Sequence, residues 1–252
     1  MGDGPSIAQL RKATQDRPDK HDFYMWGVIR KISVYVTWLA VRTPITPNQI
    51  TLFSMIFGLA GASFFASANP LWWLVGWAIV NVHLVLDQVD GEVARWRKAM
   101  TKFGYFFDEI THPIVNTALF VAVSIGVYSA LGDVRLLFAG MIFVFSASIM
   151  RMIGLYSDYA SKGMYKLRTQ RIGTPKNWAR RIANIPSGLG GYFHVFAFAA
   201  LLDLCVAMFA VGTTSPISSV RELFFLMASI VIPLLCVKRA AMLRKTLKDS
   251  RL

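Results

Sequence analysis

The sequence predicts an all-α fold: a polytopic membrane bundle of six transmembrane helices with an amphipathic helix before them on the membrane surface. Three observations carry this. The 252-residue chain is 55% hydrophobic and 16% charged, too apolar and too poor in charge for a soluble domain of this size. Its apolar runs reach the ~20 residues that a helix needs to cross a hydrocarbon core of roughly 30 Å, and they lack the alternation of strands. Of its 27 basic residues, 24 are gathered into four patches that lie before, between and after these runs.

The elements follow in chain order. Residues 1–47 are expected to form a cytoplasmic tail and an interfacial helix, because "DFYMWGVIRKISVYVTWLAVRT" sets aromatic and apolar residues among Arg30, Lys31 and Arg42. The alternative is a short buried helix. The polar start of the chain, with Asp3 and Arg11, does not resemble a cleavable signal peptide. One membrane domain is expected over 48–237, with spans near 48–68, 71–94, 104–128, 134–156, 188–211 and 219–237, and a basic cytoplasmic tail over 238–252. Cys205 and Cys236 both fall within spans, where they read as apolar packing residues rather than a disulfide or a zinc site.

The formal charge of +13 invites a nucleic-acid reading, which its distribution argues against. Of 27 Lys and Arg, 7 precede the first span, 4 lie between Arg95 and Lys102, 7 between Lys162 and Arg181, and 6 from Lys238 onward. By the positive-inside rule these patches share the cytoplasmic side with both termini. Membrane insertion and anionic lipid account for the charge, so membrane lipids and no nucleic acid are the expected partners.

Chemistry concentrates in "DQVDGEVARWRKAMTKFGYFFDEITH", Asp87 to His112. Asp87, Asp90, Gly91 and Ala94 share one helix face, and Gly104, Asp108 and His112 share another. Reversal of the chain between Arg95 and Tyr105 lets the faces meet at the cytoplasmic boundary. Carboxylates gathered at a membrane edge repel one another and call for a cation. A hard divalent ion takes carboxylate and phosphate oxygens together, which makes a diphosphate its natural companion. Small residues at 91, 94 and 104 leave room for a ligand against the backbone, and Arg95 offers a fork for phosphate. Acids at a span end can also be solvated boundary residues, and Arg95 and Arg97 can be charge anchors, but the whole constellation favours a site.

These residues fit D-x-x-D-G-x-x-A-R, eight residues (Trp96 to Phe103), G-x-x-x-D-x-x-x-D. This resembles the CDP-alcohol phosphotransferase (CDP-alcohol phosphatidyltransferase) family, and "TPNQIT" at Thr46 to Thr51 resembles the segment preceding that family's nucleotide pocket. His112 alone departs, standing where the family has its last Asp. The resemblance implies a six-span membrane enzyme, often a homodimer. It would move a substituted phosphoryl group from a CDP-alcohol such as CDP-diacylglycerol to an acceptor hydroxyl, with release of CMP, in phospholipid or lipid-linked glycan biosynthesis. It implies Mg²⁺ or Mn²⁺ on Asp87, Asp90 and Asp108; His112, standing at the position of the family's last acid, is a further candidate ligand through its own ring nitrogen. It also implies CDP contacts from Asn48, Asp87, Gly91, Ala94, Arg95, Gly104 and Asp108. The expected setting is a bacterial or archaeal cell membrane with the active site facing the cytoplasm.

The family's last acid ligates metal and serves as general base, so His112 raises three readings. An imidazole accepts a hydroxyl proton near neutral pH as readily as a carboxylate does, which makes it a working base or a ligand. As a ligand, its nitrogen would tilt the site from Mg²⁺ toward Mn²⁺ or Zn²⁺. It could instead orient substrate, or mark a catalytically impaired CDP-alcohol-binding homologue. A metal or proton transporter is the remaining alternative, although its acids belong near the midplane. His83, one turn before Asp87, has a ligand-orienting reading, but a lone His on a packed helix is more often structural, and His21 and His194 read the same way. The basic segment from Lys162 to Arg181 reads as a lipid-facing loop, or as a phosphate clamp using Arg168, Arg171, Arg180 or Arg181.

Overall fold

The computed structural model describes residues 5–15, 28–160 and 197–202, with isolated positions from 205 to 241. The described residues are all-helical, without strands. Six helices are delimited: α1 (Ile7–Thr14), α2 (Arg30–Ala40), α3 (Pro47–Phe64), α4 (Pro70–Trp96), α5 (Lys102–Leu131) and α6 (Arg135–Ala160). α3 to α6 coincide with the first four expected spans. The spans expected at 188–211 and 219–237 lie largely outside the described residues, as do His21, His194, Cys236, the basic segment and most of the tail.

Local chemistry sets the helix starts. α1 opens on a capping box between Ser6 and Gln9, and α3 on another between Thr46 and Gln49 with Pro47 in its first turn. "TPNQ" is therefore a helix start as well as a motif. Asn69 and Pro70 begin α4 in the same manner. Thr101 caps α5 by accepting from the Gly104 amide at 2.9 Å. α5 ends on Gly132, whose φ of 72° is left-handed. Beyond it, bonds from the Arg135 side chain hold the Asp133 carboxyl below the usual carboxylate range.

α3 packs on both α4 and α5, α6 on α5, and α1 and α2 on α4. Phe65, Trp73, Val80, Leu119, Val123 and Val127 fill the core, with the Trp73 indole N–H donating to the Ser67 carbonyl at 2.8 Å. The α3–α4 crossing is close because both helices present glycine. A Cβ added at Gly76 would stand 2.7 Å from the Gly61 carbonyl oxygen, and one at Gly61 would stand 2.9 Å from the Val80 backbone nitrogen. Backbone cannot yield as a side-chain tip can, so Gly76→Ala is expected to destabilise the bundle by about 1–3 kcal/mol. Thermal unfolding in detergent checks this, and an unchanged midpoint would mean the helices separate freely.

α4 and α5 are long and apolar enough to cross a membrane. At 1.5 Å per residue α4 places Asp87 and Asp90 about 26–30 Å from its first residue, a length comparable to the roughly 30 Å of a hydrocarbon core. Phe53, Phe57, Val75, Val82, Ile114 and Ile125 stand exposed on α3 to α5, as residues facing lipid would. Cys205, expected to pack inside, is also exposed. α2 buries Ser33, Val34 and Thr37 while Ile32, Tyr35 and Leu39 are exposed. Its buried face is thus the more polar one.

Candidate active site

The N-terminal turns of α3, the last third of α4 and the first turns of α5 enclose a cleft of about 360 Å³. Asn48 and Thr51 enter it from α3, Asp90, Gly91, Ala94 and Arg95 from α4, and Gly104, Tyr105, Asp108 and Glu109 from α5. Six of the seven residues expected to contact a nucleotide therefore share one cleft, together with Asp90. Small side chains shape it. A Cβ on Gly104 would come within 3.1 Å of the Asn48 amide oxygen, and one on Gly91 within 2.9 Å of an Arg95 guanidinium nitrogen.

Asp87 and His112 are not among the residues lining this cleft and meet Asp108 beside it. His112 Nδ1 lies 3.6 Å from Asp87 Oδ1, and Nε2 lies 3.5 Å from Asp108 Oδ1. These separations exceed an ordinary hydrogen bond. One ligand atom from each of the three residues falls within 4.8 Å of the others. Two carboxylates and an imidazole at that spacing fit a divalent ion of the Mg²⁺ or Mn²⁺ kind. Asp108 belongs to both cluster and cleft, so an ion there would sit next to whatever the cleft holds.

Asp90 is directed elsewhere. It is 5% exposed, its Oδ2 accepts from Thr51 Oγ1 at 2.6 Å, and it lines the cleft, whereas the three ligand atoms that come together are those of Asp87, Asp108 and His112. Thr51 was not among the expected site residues, although its position one turn after Asn48 puts it on the same face of α3. Thr101, Tyr105 and Glu109 were missed as well. His83 is buried and bonded to Ser54 on α3, its Nδ1 lying 2.8 Å from the hydroxyl and 3.0 Å from the carbonyl. That is the structural role expected of it.

The two arginines after Ala94 differ in task. Arg97 donates to the carbonyls of Ala40, Thr43 and Ile45, satisfying the end of α2. Arg95 lines the cleft while its Nε donates to the Thr14 carbonyl at 2.9 Å. Between them and α5 the chain turns through Lys98, a non-glycine at φ 53°.

The sequence pattern of the CDP-alcohol phosphatidyltransferase family matches residues 44–214. Among curated relatives, the chain is 28% identical over 138 residues to a bifunctional IPC transferase and DIPP synthase from Aquifex aeolicus. It is 32% identical over 89 residues to a phosphatidylinositol phosphate synthase from Corynebacterium glutamicum, and 26% over 123 residues to one from Mycolicibacterium smegmatis. The matches cover 54%, 35% and 49% of this chain, and 29%, 40% and 54% of the respective relatives. The chain thus spans about half their length or less. The fold is similar to that of Mycobacterium tuberculosis phosphatidylinositol phosphate synthase crystallised with CDP-DAG, with TM-score 0.56 and 19% identity over 84% of this chain and 94% of that one. The same enzyme crystallised with manganese and citrate gives TM-score 0.55 and 17% identity over 84% and 88%. With the family pattern covering more than half of the residues, this chain belongs to the CDP-alcohol phosphatidyltransferase family.

Proposed function

We propose that the chain is a divalent-metal-dependent membrane transferase that moves a substituted phosphoryl group from a CDP-alcohol to an acceptor hydroxyl and releases CMP. The observation that carries this is the adjacency of the Asp87–Asp108–His112 triad to the small-residue cleft, joined through Asp108. The cleft takes the nucleotide, with Gly91, Ala94 and Gly104 giving room, Asn48 on the α3 side and Arg95 at the diphosphate. Asp87 and Asp108 would hold Mg²⁺ or Mn²⁺ beside His112, with Asp90 a further carboxylate of the same cleft, and the ion would neutralise charge on the diphosphate. The acceptor oxygen forms its bond to the alcohol-bearing phosphorus, and the bond from that phosphorus to the bridging oxygen breaks. CMP leaves with the electron pair. His112 takes the hydroxyl proton, oriented by the carboxylates on either side of its ring.

A CDP-diacylglycerol donor is supported by two relatives that are phosphatidylinositol phosphate synthases and by the CDP-DAG bound in the similar Mycobacterium tuberculosis structure. The basic segment from Lys162 to Arg181 supports an anionic acceptor. In this reading the chain has six spans in a bacterial or archaeal cell membrane, assembles as a homodimer and lays α2 along the surface with Ile32, Tyr35 and Leu39 toward lipid. Its site faces the cytoplasm, supported by 24 of 27 basic residues lying on the motif's side. A cysteine replacing Lys102 is expected to react with an impermeant reagent in inverted vesicles only. Labelling in intact cells would reverse the topology.

The central test is CMP release by purified protein across CDP-alcohol donors, with Mn²⁺ or chelator, with and without lipid extract. No release from any donor would sink the transferase reading. Cation flux in proteoliposomes, which a transferase does not produce, would favour a transporter.

A further inference from the structure

Glu92 follows Gly91 directly in the motif, yet it does not line the cleft. It is 1% exposed, and its carboxylate accepts three hydrogen bonds from other segments. Gln15 Nε2 donates at 2.8 Å and Ser33 Oγ at 2.7 Å to one oxygen, and Thr37 Oγ1 donates at 2.6 Å to the other. A carboxylate this buried is costly unless such donors meet it, and bonds to a charged acceptor are the strong ones. All three donors precede residue 44, where the family pattern begins. The same Gln15 amide also reaches the Arg30 carbonyl at 2.7 Å, tying the end of α1 to the start of α2. The residue before Gln15 is Thr14, whose carbonyl accepts from Arg95 Nε at 2.9 Å. A continuous set of contacts therefore runs from Glu92 through the N-terminal arm and back to the arginine of the cleft, three residues along the same helix.

We propose that Glu92 is a positioning residue for Arg95. It fastens the α1–α2 arm to α4 so that the Thr14 carbonyl holds Arg95 Nε and keeps the guanidinium at the cleft, where the diphosphate binds. The arm is then part of the nucleotide site without touching the nucleotide. This role rests on the transferase reading above.

The test uses the full chain in detergent, with CDP binding in the presence of Mn²⁺ measured by calorimetry and amide hydrogen exchange followed over residues 6–15. Gln15→Leu is the first variant, since Ser33 and Thr37 continue to serve Glu92 and the bundle stays intact. Glu92→Ala is the second. Both are expected to speed exchange in α1 and to weaken CDP binding about tenfold, the worth of one charge-assisted hydrogen bond. Glu92→Gln is expected to recover most of the affinity, because its amide oxygen accepts and the Ser33 and Thr37 hydroxyls can rotate. In an Arg95→Gln background, Gln15→Leu should cost nothing further. Unchanged CDP affinity in the two loosening variants overturns the proposal, as does continued protection of α1 or a further tenfold loss in the Arg95→Gln background. Failure of the unaltered protein to bind CDP removes the transferase reading and this role with it, a result distinct from any failure confined to the variants.

Discussion

Asp87→Asn is expected to lower CMP release by about 10²–10³-fold, the scale of losing one preorganised electrostatic contact to the reacting group. It should also make CDP binding indifferent to chelator. The carboxylate is nearly enclosed, with 12% of the side chain exposed, and Oδ1 lies 3.6 Å from His112 Nδ1. Oδ2 accepts from the Gln88 amide at 3.1 Å, so Oδ1 is the oxygen that faces the triad. The amide has nearly the same shape and keeps the packing, but it removes one of the two charges that hold a divalent ion beside His112. The Gln88 bond survives because the asparagine oxygen can accept it, which separates a loss of charge from a loss of fold. Asp133→Asn, a change at the opposite end of α5, is the control and should leave activity as it was. Near-normal CMP release from Asp87→Asn with undiminished response to Mn²⁺ would show that the triad is not where the ion acts.

What the sequence disclosed and what it withheld divide along a physical line. Spacing along a helix fixes which residues share a face. Asp90, Gly91 and Ala94, and likewise Gly104 and Asp108, could therefore be assembled on paper and are found around one cleft. The capping box at Thr46 and Gln49 is local chemistry and was visible for the same reason. Depth along the helix was not visible. Asp87 lies a turn before Asp90 and falls outside the cleft, whereas Asp90 is turned to Thr51. Nor were contacts to main-chain carbonyls, because a carbonyl has no residue type. Arg97 on the end of α2 and Arg95 on Thr14 both read in sequence as charges awaiting phosphate or lipid, and both are engaged by backbone. Glu92 was passed over because the motif is written for the face that meets substrate. Its partners lie more than 50 residues away.

His112→Ala is expected to slow the chemical step by ~10²–10⁴-fold, the usual worth of a general base, while CDP affinity changes little. The second half follows from position. His112 is not among the residues lining the cleft and adjoins it only through Asp108, so removing the ring leaves the nucleotide's neighbours in place. The first half follows from the two nitrogens. Each faces a carboxylate, so one can keep its proton toward an acid while the other takes a proton from the acceptor, the arrangement by which an acid fixes a working tautomer. The same placement would let one nitrogen bind metal, and Mn²⁺ affinity separates these roles. A base predicts that His112→Ala binds Mn²⁺ nearly as well as the unaltered protein but turns over slowly, whereas a ligand predicts that affinity and rate fall together. His112→Asp restores the acid of the family pattern and should retain substantial activity in either case, since a carboxylate can ligate and can accept a proton. The rate of the unaltered protein in His112→Ala would exclude both roles, and the two acids flanking the ring would then be the only members of the triad on which the reaction depends.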